Sequence, residues 1–359
     1  MNTINISIIG LGLIGGSIAK ALKSSNKEIY ITAYDREEVL ESALLQKVID
    51  KKAEYIENAA DADIIFLCLP TDISLQTLEK LAPSVNENTI ITDVAGVKSA
   101  FENKWSSLKS KGEFVGGHPM TGKEKGGFEN SDPLLFENSV YILSDNKKQS
   151  PNYNKLIKLI ELLGARIKFL DPYLHDEIIA NVSHLPQLLS VALVNSAACS
   201  KNDTNYLDFA AGGFRDMTRI ASSNFDIWEP VIKNNKEAIL KALENFETNA
   251  KVIKENILAD DFKTLADYFE SARAKRDDIP KNTKGFINPL VDVFVFVKDE
   301  PGVLSRLTTI LFEDGISIKD IELLKIREGT GGTFRLSVQS KEEAERAEKL
   351  IHGLGFRTK

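Results

Sequence analysis

Histidine is the first side chain to locate, because it titrates near neutral pH and can accept or donate a proton there. The chain has only four histidines, His118, His175, His184 and His352. His118 lies in a glycine-rich segment directly after a predicted strand, and His184 lies in an apolar helical segment two residues before Pro186. Each can be a general base or a ligand contact, or an ordinary hydrogen-bonded residue. The residues alone leave both interpretations open.

Two guanidinium groups form a second candidate site. Arg215 and Arg219 are four residues apart, and Asp216 precedes Arg219 by three residues. A planar guanidinium binds a carboxylate through two parallel hydrogen bonds, so this segment predicts a contact with an acidic ligand. The alternative is a surface ion pair between Asp216 and Arg219, which i,i+3 spacing on a helix favours.

A glycine-rich turn near the N-terminus indicates a nucleotide site. It follows a β-branched run and precedes a helical segment, which is the context that makes a GxGxxG motif informative. Its glycines allow a tight turn, a close approach of backbone to a pyrophosphate, and close helix–strand packing. The anion would lie at the helix N-terminus. The predicted binding residues are Gly10, Gly12, Leu13, Ile14 and Gly15.

An acidic residue at the end of the next predicted strand favours NAD as the dinucleotide. Asp35 lies twenty residues beyond Gly15, where a carboxylate can accept hydrogen bonds from the adenosine ribose diol and repel a 2′-phosphate. The neighbouring Arg36 could pair with such a phosphate, so NADP remains the alternative.

The elements that must position these groups divide the chain into three regions. Residues 1–172 alternate β-branched runs with helical segments, which predicts a doubly wound parallel sheet. Its later strands are expected at 113–116, 139–143 and 166–170, with a helix over 152–163, and His118 is expected in a loop. Residues 173–275 show helical periodicity only.

A charged, proline-containing stretch beginning at residue 274 predicts an exposed linker, placed at 276–288. Residues 289–359 then follow the order β-α-β-β-α-β of a split βαβ sandwich.

The composition excludes several classes of function. The 359 residues carry 45 Lys and Arg against 52 Asp and Glu, a net charge of −7, so no nucleic-acid partner is predicted. Two distant cysteines, Cys68 and Cys199, form neither a disulfide framework nor a thiolate metal site, so we predict no metal and a cytoplasmic location. The apolar segment 4–22 lacks a positive start and is glycine-rich, and no membrane helix or membrane partner is predicted.

With these motifs in place, the chain resembles the prephenate/arogenate dehydrogenase family of tyrosine biosynthesis over nearly its whole length, with an ACT-like domain appended. The resemblance rests on separately placed motifs: Gly10 to Ser17, Thr92-Asp93-Val94, Gly117-His118-Pro119-Met120 with Gly122 and Glu124, Ser183 to Pro186, Phe214-Arg215-Asp216, Thr218 to Ala221, and Trp228. It implies a Rossmann-like domain, an all-helical dimerisation domain and a C-terminal ferredoxin-like ACT domain, in a homodimer. It also implies oxidative decarboxylation of a cyclohexadienol with NAD.

The resemblance assigns roles to the candidate residues. It implies that His118 accepts a hydrogen bond from the ring hydroxyl, that Arg219 holds the ring carboxylate, and that His184 contacts the side-chain end of the substrate. Glu124 and Asp216, with Arg215 beside them, resemble a polar gate around the pocket. Asp299-Glu300-Pro301-Gly302 resembles the turn at which ACT domains bind amino acids, so Pro301 and Gly302 are expected at an effector site, with tyrosine as the expected effector.

One position departs from the family pattern. The family usually has a serine where this chain has Gly96, so the hydroxyl beside the catalytic histidine is missing. Thr121, Ser99 or a water could substitute for it. Prephenate and arogenate both remain possible substrates, and a non-catalytic dinucleotide and amino-acid sensor is the alternative from another class.

Overall fold

The computed structural model describes residues 3–25, 28–123, 125–145, 151–279, 290–327 and 331–358. It divides into two compact units, Met1–Ala272 and Arg273–Lys359. The first unit contains the parallel sheet and the helical region, and the second contains the C-terminal sandwich.

The first part of the chain alternates strands and helices as predicted. In chain order, the elements are β1 (Ile4–Ile9), α1 (Leu13–Ser24), β2 (Ile29–Tyr34), α2 (Glu37–Leu45), β3 (Lys51–Lys52), β4 (Ile64–Leu67), α3 (Thr71–Leu81), β5 (Ile90–Asp93), α4 (Ser99–Ser106), β6 (Glu113–Val115), β7 (Gly117–Pro119), β8 (Val140–Ser144), α5 (Pro151–Leu162) and β9 (Arg166–Leu170).

Six of these strands form a parallel sheet in the order β3-β2-β1-β4-β5-β6. The β-branched strands β1, buried from Ile6 to Ile9, and β4, fully buried, are its centre, as expected for a sheet covered on both faces. The order reverses between β1 and β4, and ligands bind at the carboxyl ends of the strands beside such a switch point. The doubly wound, Rossmann-like prediction is confirmed.

The later strands differ from the prediction in two ways. Strands β8 and β9 do not join the parallel sheet but form a second sheet with β7, in the order β7-β8-β9. His118 therefore lies in a short strand rather than in the expected loop, because its backbone pairs with Ile142 of β8. This pairing holds the imidazole on ordered backbone just beyond the carboxyl end of β6.

The helical region contains α6 (Pro172–Ile179), α7 (Leu185–Ala197), β10 (Ser200–Lys201), β11 (Thr204–Asn205), α8 (Gly212–Thr218), α9 (Phe225–Asn234), α10 (Lys236–Leu258) and α11 (Phe262–Asp277). The all-helical prediction missed a short hairpin whose strands, β10 and β11, have two residues each. It also placed the linker too early, because α11 continues to Asp277. The charged side chains there are good helix formers, and basic residues in a last turn suit the helix dipole. Residues 280–288 of the predicted linker lie outside the described residues.

One turn of π-helix joins α6 to α7. It spans Ala180–His184 and directly precedes Pro186, whose ring cannot fit a regular helix interior. The continuous helix Pro172–Ala197 is long and apolar enough to cross a membrane, with mean hydropathy 1.3 over its most apolar window, of which 28% is buried. No membrane helix is predicted from the sequence for this segment, which meets the test by length and composition only. His175, Asp176 and His184 of this helix are buried, so the helix contributes polar side chains to the protein interior.

The second unit has the predicted β-α-β-β-α-β order. Its elements are β12 (Val291–Val297), α12 (Val303–Glu313), β13 (Asp320–Arg327), β14 (Gly331–Val338), α13 (Lys341–Gly353) and β15 (Arg357–Thr358). The four strands form an antiparallel sheet in the order β13-β14-β12-β15. The apolar faces of α12 and α13 and of this sheet form a core of their own. The ferredoxin-like prediction is confirmed.

Candidate active site

The glycine-rich turn between β1 and α1 has the geometry of a pyrophosphate cradle. Gly10 has a φ of +98°, and a β-carbon there would lie 2.6 Å from the carbonyl oxygen of Cys68. A β-carbon on Gly15 would lie 1.9 Å from the carbonyl oxygen of Gly10, so helix and strand pack too closely for any side chain. A β-carbon on Gly12 would point into open space. Gly12 begins α1, whose first N–H groups have no acceptor within the helix, so this opening can hold an anion.

Asp35 is held against this turn. Its Oδ2 accepts a hydrogen bond from the backbone N–H of Leu11 at 2.5 Å, and its Oδ1 accepts one from the N–H of Arg36 at 2.7 Å. The guanidinium of Arg36 is exposed and pairs with Glu38 at 3.1 Å. The structure therefore presents a fixed carboxylate at the end of β2, and the neighbouring cation is directed to an acidic partner.

A buried ion pair supports the strand that carries His118. The Lys98 ammonium pairs with the Asp93 carboxylate at the end of β5 and donates to the Gly117 carbonyl at 2.6 Å. The Gly117 N–H in turn donates to Asp93 Oδ1 at 3.1 Å. Burial lowers the pKa of Lys98 and raises that of Asp93, so each charge depends on the other. Lys98, unassigned from the sequence, therefore anchors the start of β7.

His118 belongs to a chain of three hydrogen-bonded side chains. Its Nδ1 lies 2.8 Å from Nε2 of His175, and Nδ1 of His175 lies 2.8 Å from Oδ1 of Asp176. His175 and Asp176 are buried in the first turns of α6, whereas His118 is half-buried. Burial lowers the pKa of His118 well below its usual value, and the nearby His175, Lys98 and His184 lower it further. The imidazole is therefore neutral at neutral pH.

His184 is placed inside the helical region. Its side chain is only 3% exposed and packs edge-to-face on Trp228, with the ring centres 5.9 Å apart. The Asn235 amide donates to its Nδ1 at 3.2 Å and to the backbone carbonyl of Asp176 at 2.9 Å. Burial lowers the pKa of His184 to about 4. The structure thus brings three of the four histidines together and shows His184 as a neutral, hydrogen-bonded interior residue.

The arginine segment lies against α7, the helix that follows His184. Arg215 and Asp216 are exposed on α8, and the Arg215 Nε donates to the carbonyl of Ala210 at 3.2 Å. Arg219 is exposed at the start of the next turn, and the carbonyl of its neighbour Ile220 accepts a hydrogen bond from the buried Gln187 amide at 2.9 Å. Gln187 is thus a support that the sequence analysis did not identify. Glu124 lies outside the described residues.

Gly96 faces the imidazole of His118. A β-carbon added at Gly96 would lie 3.8 Å from both Cε1 and Nε2 of that ring. The two hydroxyls expected to replace the missing serine are engaged elsewhere: Ser99 Oγ donates to Asp176 at 2.5 Å, and Thr121 Oγ1 donates to the Leu135 carbonyl at 3.1 Å. The Nε2 side of His118 therefore borders the space that a residue-96 side chain would fill.

The second unit has a cavity at the turn predicted to bind an effector. It measures about 430 Å³ and is lined in part by Lys298, Gly302, Ser305, Leu323 and Phe334. Gly302 is left-handed, with φ +84°, and begins α12. Backbone N–H groups at this helix start can bind a carboxylate, and the apolar wall can accept a side chain. Pro301 is an exposed residue of the same turn.

Sequence reasoning missed His175 and Asp176. The only signal was scarcity, since His175 is one of four histidines and stands beside an acidic residue in a helix start. The contact of His175 with His118 spans 57 residues, and Asp176 reaches the start of α4 from a similar separation, which no local pattern reveals.

The sheet order, the glycine turn with its acidic partner and the half-buried histidine beyond the carboxyl end of β6 define a dinucleotide-binding dehydrogenase. Family profiles match "Prephenate dehydrogenase, nucleotide-binding domain" over residues 18–169, "Prephenate dehydrogenase, dimerization domain" over 171–271 and "ACT domain" over 291–356. The chain belongs to the prephenate dehydrogenase family.

Individual relatives agree with this assignment. The prephenate dehydrogenase of Bacillus subtilis (strain 168) is 36% identical over 352 residues, covering 96% of this chain and 95% of that protein. The structure of A. aeolicus prephenate dehydrogenase in complex with hydroxyphenyl propionate and NAD+ is similar with a TM-score of 0.70 at 32% identity, covering 78% of this chain and 99% of that one. Synechocystis arogenate dehydrogenase gives 0.69 at 31% identity, with 76% and 99% covered.

Proposed function

We propose that the protein oxidatively decarboxylates prephenate to 4-hydroxyphenylpyruvate with NAD. The observation that carries this proposal is the neutral, half-buried His118 beside the carboxyl ends of the sheet strands, the same edge of the sheet at which the pyrophosphate cradle follows β1. Family membership and the NAD+ and hydroxyphenyl propionate in the A. aeolicus relative support it. The competing substrate is arogenate, which differs in carrying an amino group in place of the side-chain keto group, and the Synechocystis relative supports that candidate.

The residues of the cradle fit NAD. Gly10, Gly12 and Gly15 leave room for the pyrophosphate at the start of α1, and the Asp35 carboxylate suits a ribose diol. Asp35 and the Glu38 partner of Arg36 both disfavour a 2′-phosphate, so NAD is preferred over NADP. Bound NAD supplies a nicotinamide ring that accepts a hydride.

The chain's own residues then act on the substrate. Nε2 of His118 accepts the ring hydroxyl proton while the carbinol carbon loses its hydride, the ring carboxylate departs as CO₂ and the ring becomes aromatic. Arg219 holds a substrate carboxylate through its guanidinium fork. His184 supports the side-chain end of the pocket from the interior, through Asn235 and Trp228. Arg215 and Asp216 line its polar rim.

A homodimer forms through the helical region. Among the described residues, this region has only a small buried apolar cluster of its own, Ala180, Ile239 and Ala242. Large apolar side chains remain exposed on several of its elements, including Val182, Met217, Phe225 and Phe269. A second copy covers part of this surface, consistent with the dimerization-domain match. The proposed limits are 1–172 for the nucleotide-binding domain and 289–359 for the ACT domain. The helical domain starts at 173 and continues to the end of α11 at Asp277.

Tyrosine regulates the enzyme from the ACT cavity. The start of α12 at Gly302 binds its carboxylate, and Leu323 and Phe334 contact its ring. A tyrosine fits this cavity, since ligand pockets of roughly 300–1,000 Å³ accept small molecules.

The deciding experiment follows NADH formation by purified protein with NAD and either prephenate or arogenate, repeated with NADP and with added tyrosine. We expect turnover of prephenate. Turnover of arogenate alone would transfer the activity to the second candidate, and binding of NAD without turnover of either would favour the sensor.

Three variants test the residue roles in that assay. His118→Asn is expected to lower kcat by at least about a hundredfold with a small change in KM. Arg219→Ala is expected chiefly to raise KM for the substrate, and Arg219→Lys to restore it only in part because the fork is lost. An active His118→Asn variant, or an unchanged KM in Arg219→Ala, would remove the respective role.

A further inference from the structure

The hydrogen bonds from His118 to His175 and from His175 to Asp176 indicate which nitrogen of His118 holds the proton. The two imidazoles meet edge-to-face, with ring centres 5.1 Å apart, and their nitrogens are 2.8 Å apart. Two imidazole nitrogens at this distance need one donor and one acceptor. Asp176, at the other end of this series of hydrogen bonds, determines which nitrogen donates and which accepts.

Asp176 is an ionised acceptor. Its Oδ1 accepts from the backbone N–H of Lys98 at 2.7 Å, and its Oδ2 accepts from the N–H of Ser99 at 2.8 Å. These N–H groups start helix α4, where a negative charge is stabilised. Burial opposes the charge, but the hydrogen bonds from His175 and from the start of α4 outweigh it and keep the pKa of Asp176 below its usual value.

A carboxylate can only accept, so Nδ1 of His175 must donate to Asp176. A neutral His175 then has a lone pair on Nε2, and this lone pair accepts the proton on Nδ1 of His118. The remaining nitrogen of His118, Nε2, is left with a lone pair on the side of Gly96. If His175 instead carried both protons, it would donate to Nδ1 of His118, and a neutral His118 would then hold its proton on Nε2, where the base is needed.

We propose that His175 and Asp176 are positioning residues that hold His118 in the Nδ1–H tautomer, with Nε2 kept as the acceptor for the substrate hydroxyl. Burial and the surrounding groups agree with a neutral His118 ring, since His175, Lys98 and His184 all disfavour a further positive charge there, and Lys98 is paired with Asp93. This inference deepens the proposed function and rests on the role of His118 in it.

The tautomer can be read directly, without substrate. Free enzyme labelled with ¹⁵N-histidine gives signals from only four side chains, and the signal that His118→Asn removes is that of His118. We expect a protonated Nδ1 and an unprotonated Nε2 at neutral and mildly alkaline pH. A signal from the Nε2–H tautomer, or an average of the two tautomers, would overturn the proposal.

Variants of His175 connect the tautomer to the reaction. His175→Leu removes the acceptor and is expected to lower kcat by about tenfold or more, with KM for substrate and NAD within about twofold, and to mix the His118 tautomers. His175→Gln can offer a carbonyl oxygen to Nδ1–H and is expected to recover part of kcat and the Nδ1–H signal. Equal kcat losses in the two variants, with unchanged tautomer signals, would reduce His175 to a packing residue.

The matched control is Asp171→Ala. The Asp171 side chain caps α6 by accepting from the N–H groups of Tyr173 and Leu174. Its only described hydrogen bond with His175 runs from the His175 N–H to its backbone carbonyl, at 2.8 Å, which alanine keeps. Its replacement is expected to lower the melting temperature while kcat and the His118 tautomer stay unchanged.

The failure of the positioning inference can be told apart from the failure of the proposed function. An Nδ1–H signal in an enzyme that turns over neither prephenate nor arogenate would refute the proposed function and leave the positioning inference standing. Turnover of either substrate with an Nε2–H signal would refute the positioning inference and leave the proposed function standing.

Discussion

A histidine that accepts a proton in the reaction must be neutral before it does so, and burial makes this easy for His118. Because its pKa is held well below the ordinary value of 6.5, the neutral form persists as the pH falls through the usual histidine range. We expect kcat/KM to stay level through that range and to fall only at lower pH, where His118 gains a proton. The measurement is a pH profile of kcat/KM, with recovery of activity at neutral pH as the control for unfolding. A half-maximal point at the ordinary histidine value would contradict this.

Gly96 allows a test at a single atom, Nε2 of His118. A β-carbon there would make ordinary van der Waals contact with the imidazole at 3.8 Å, so a small side chain fits. Gly96→Ser places a hydroxyl that can donate to Nε2, which stabilises the neutral ring and lowers the pKa of His118 further. Gly96→Ala adds the same carbon without a donor. We expect the acid limb of the pH profile to move to lower pH in the serine variant only; identical profiles would mean that Nε2 does not face residue 96.

The helix α1 and the strand β1 make different demands on the glycines between them. Gly15→Ala would press a methyl group against the Gly10 carbonyl, and we expect it to lower the melting temperature strongly or prevent folding. Gly12→Ala meets nothing within 4 Å, so we expect an unchanged melting temperature and a KM for NAD raised by about tenfold or more, because the methyl group occupies the pyrophosphate position. Thermal unfolding and NAD titration separate the two effects. A Gly12→Ala enzyme with normal KM for NAD would place the pyrophosphate elsewhere.

The elements also show how far the sequence leads. Period-two and helical patterns predicted the parallel sheet, the glycine turn and the C-terminal sandwich, because these depend on contacts close in sequence. The same patterns could not show that β7 pairs with β8, or that Asp176 caps α4 from 77 residues away. For the site, the sequence singled out His118 and the nucleotide-binding residues but not the hydrogen bonds that orient the imidazole.

At the scale of the whole molecule, the two units have separate cores. The buried cluster of the second unit runs from Val293 to Ile351, and the clusters of the first unit contain no residue from that range. We expect a chain ending at Ile279 to keep its dehydrogenase activity and to lose inhibition by tyrosine. Inhibition curves for the full-length and shortened chains make the comparison. Inhibition that persists in the shortened chain would place the effector in the active site.

The small apolar cluster of the helical region has a consequence for how the enzyme responds to its own abundance. His175, Asp176 and Arg219 all belong to this region, whereas His118 and the nucleotide turn belong to the sheets, which have large cores. If the helical region draws its stability from a second copy, dilution loosens it first while the sheets stay folded. Activity per molecule then depends on expression level: a scarce enzyme would keep its nucleotide site and lose the alignment of His118.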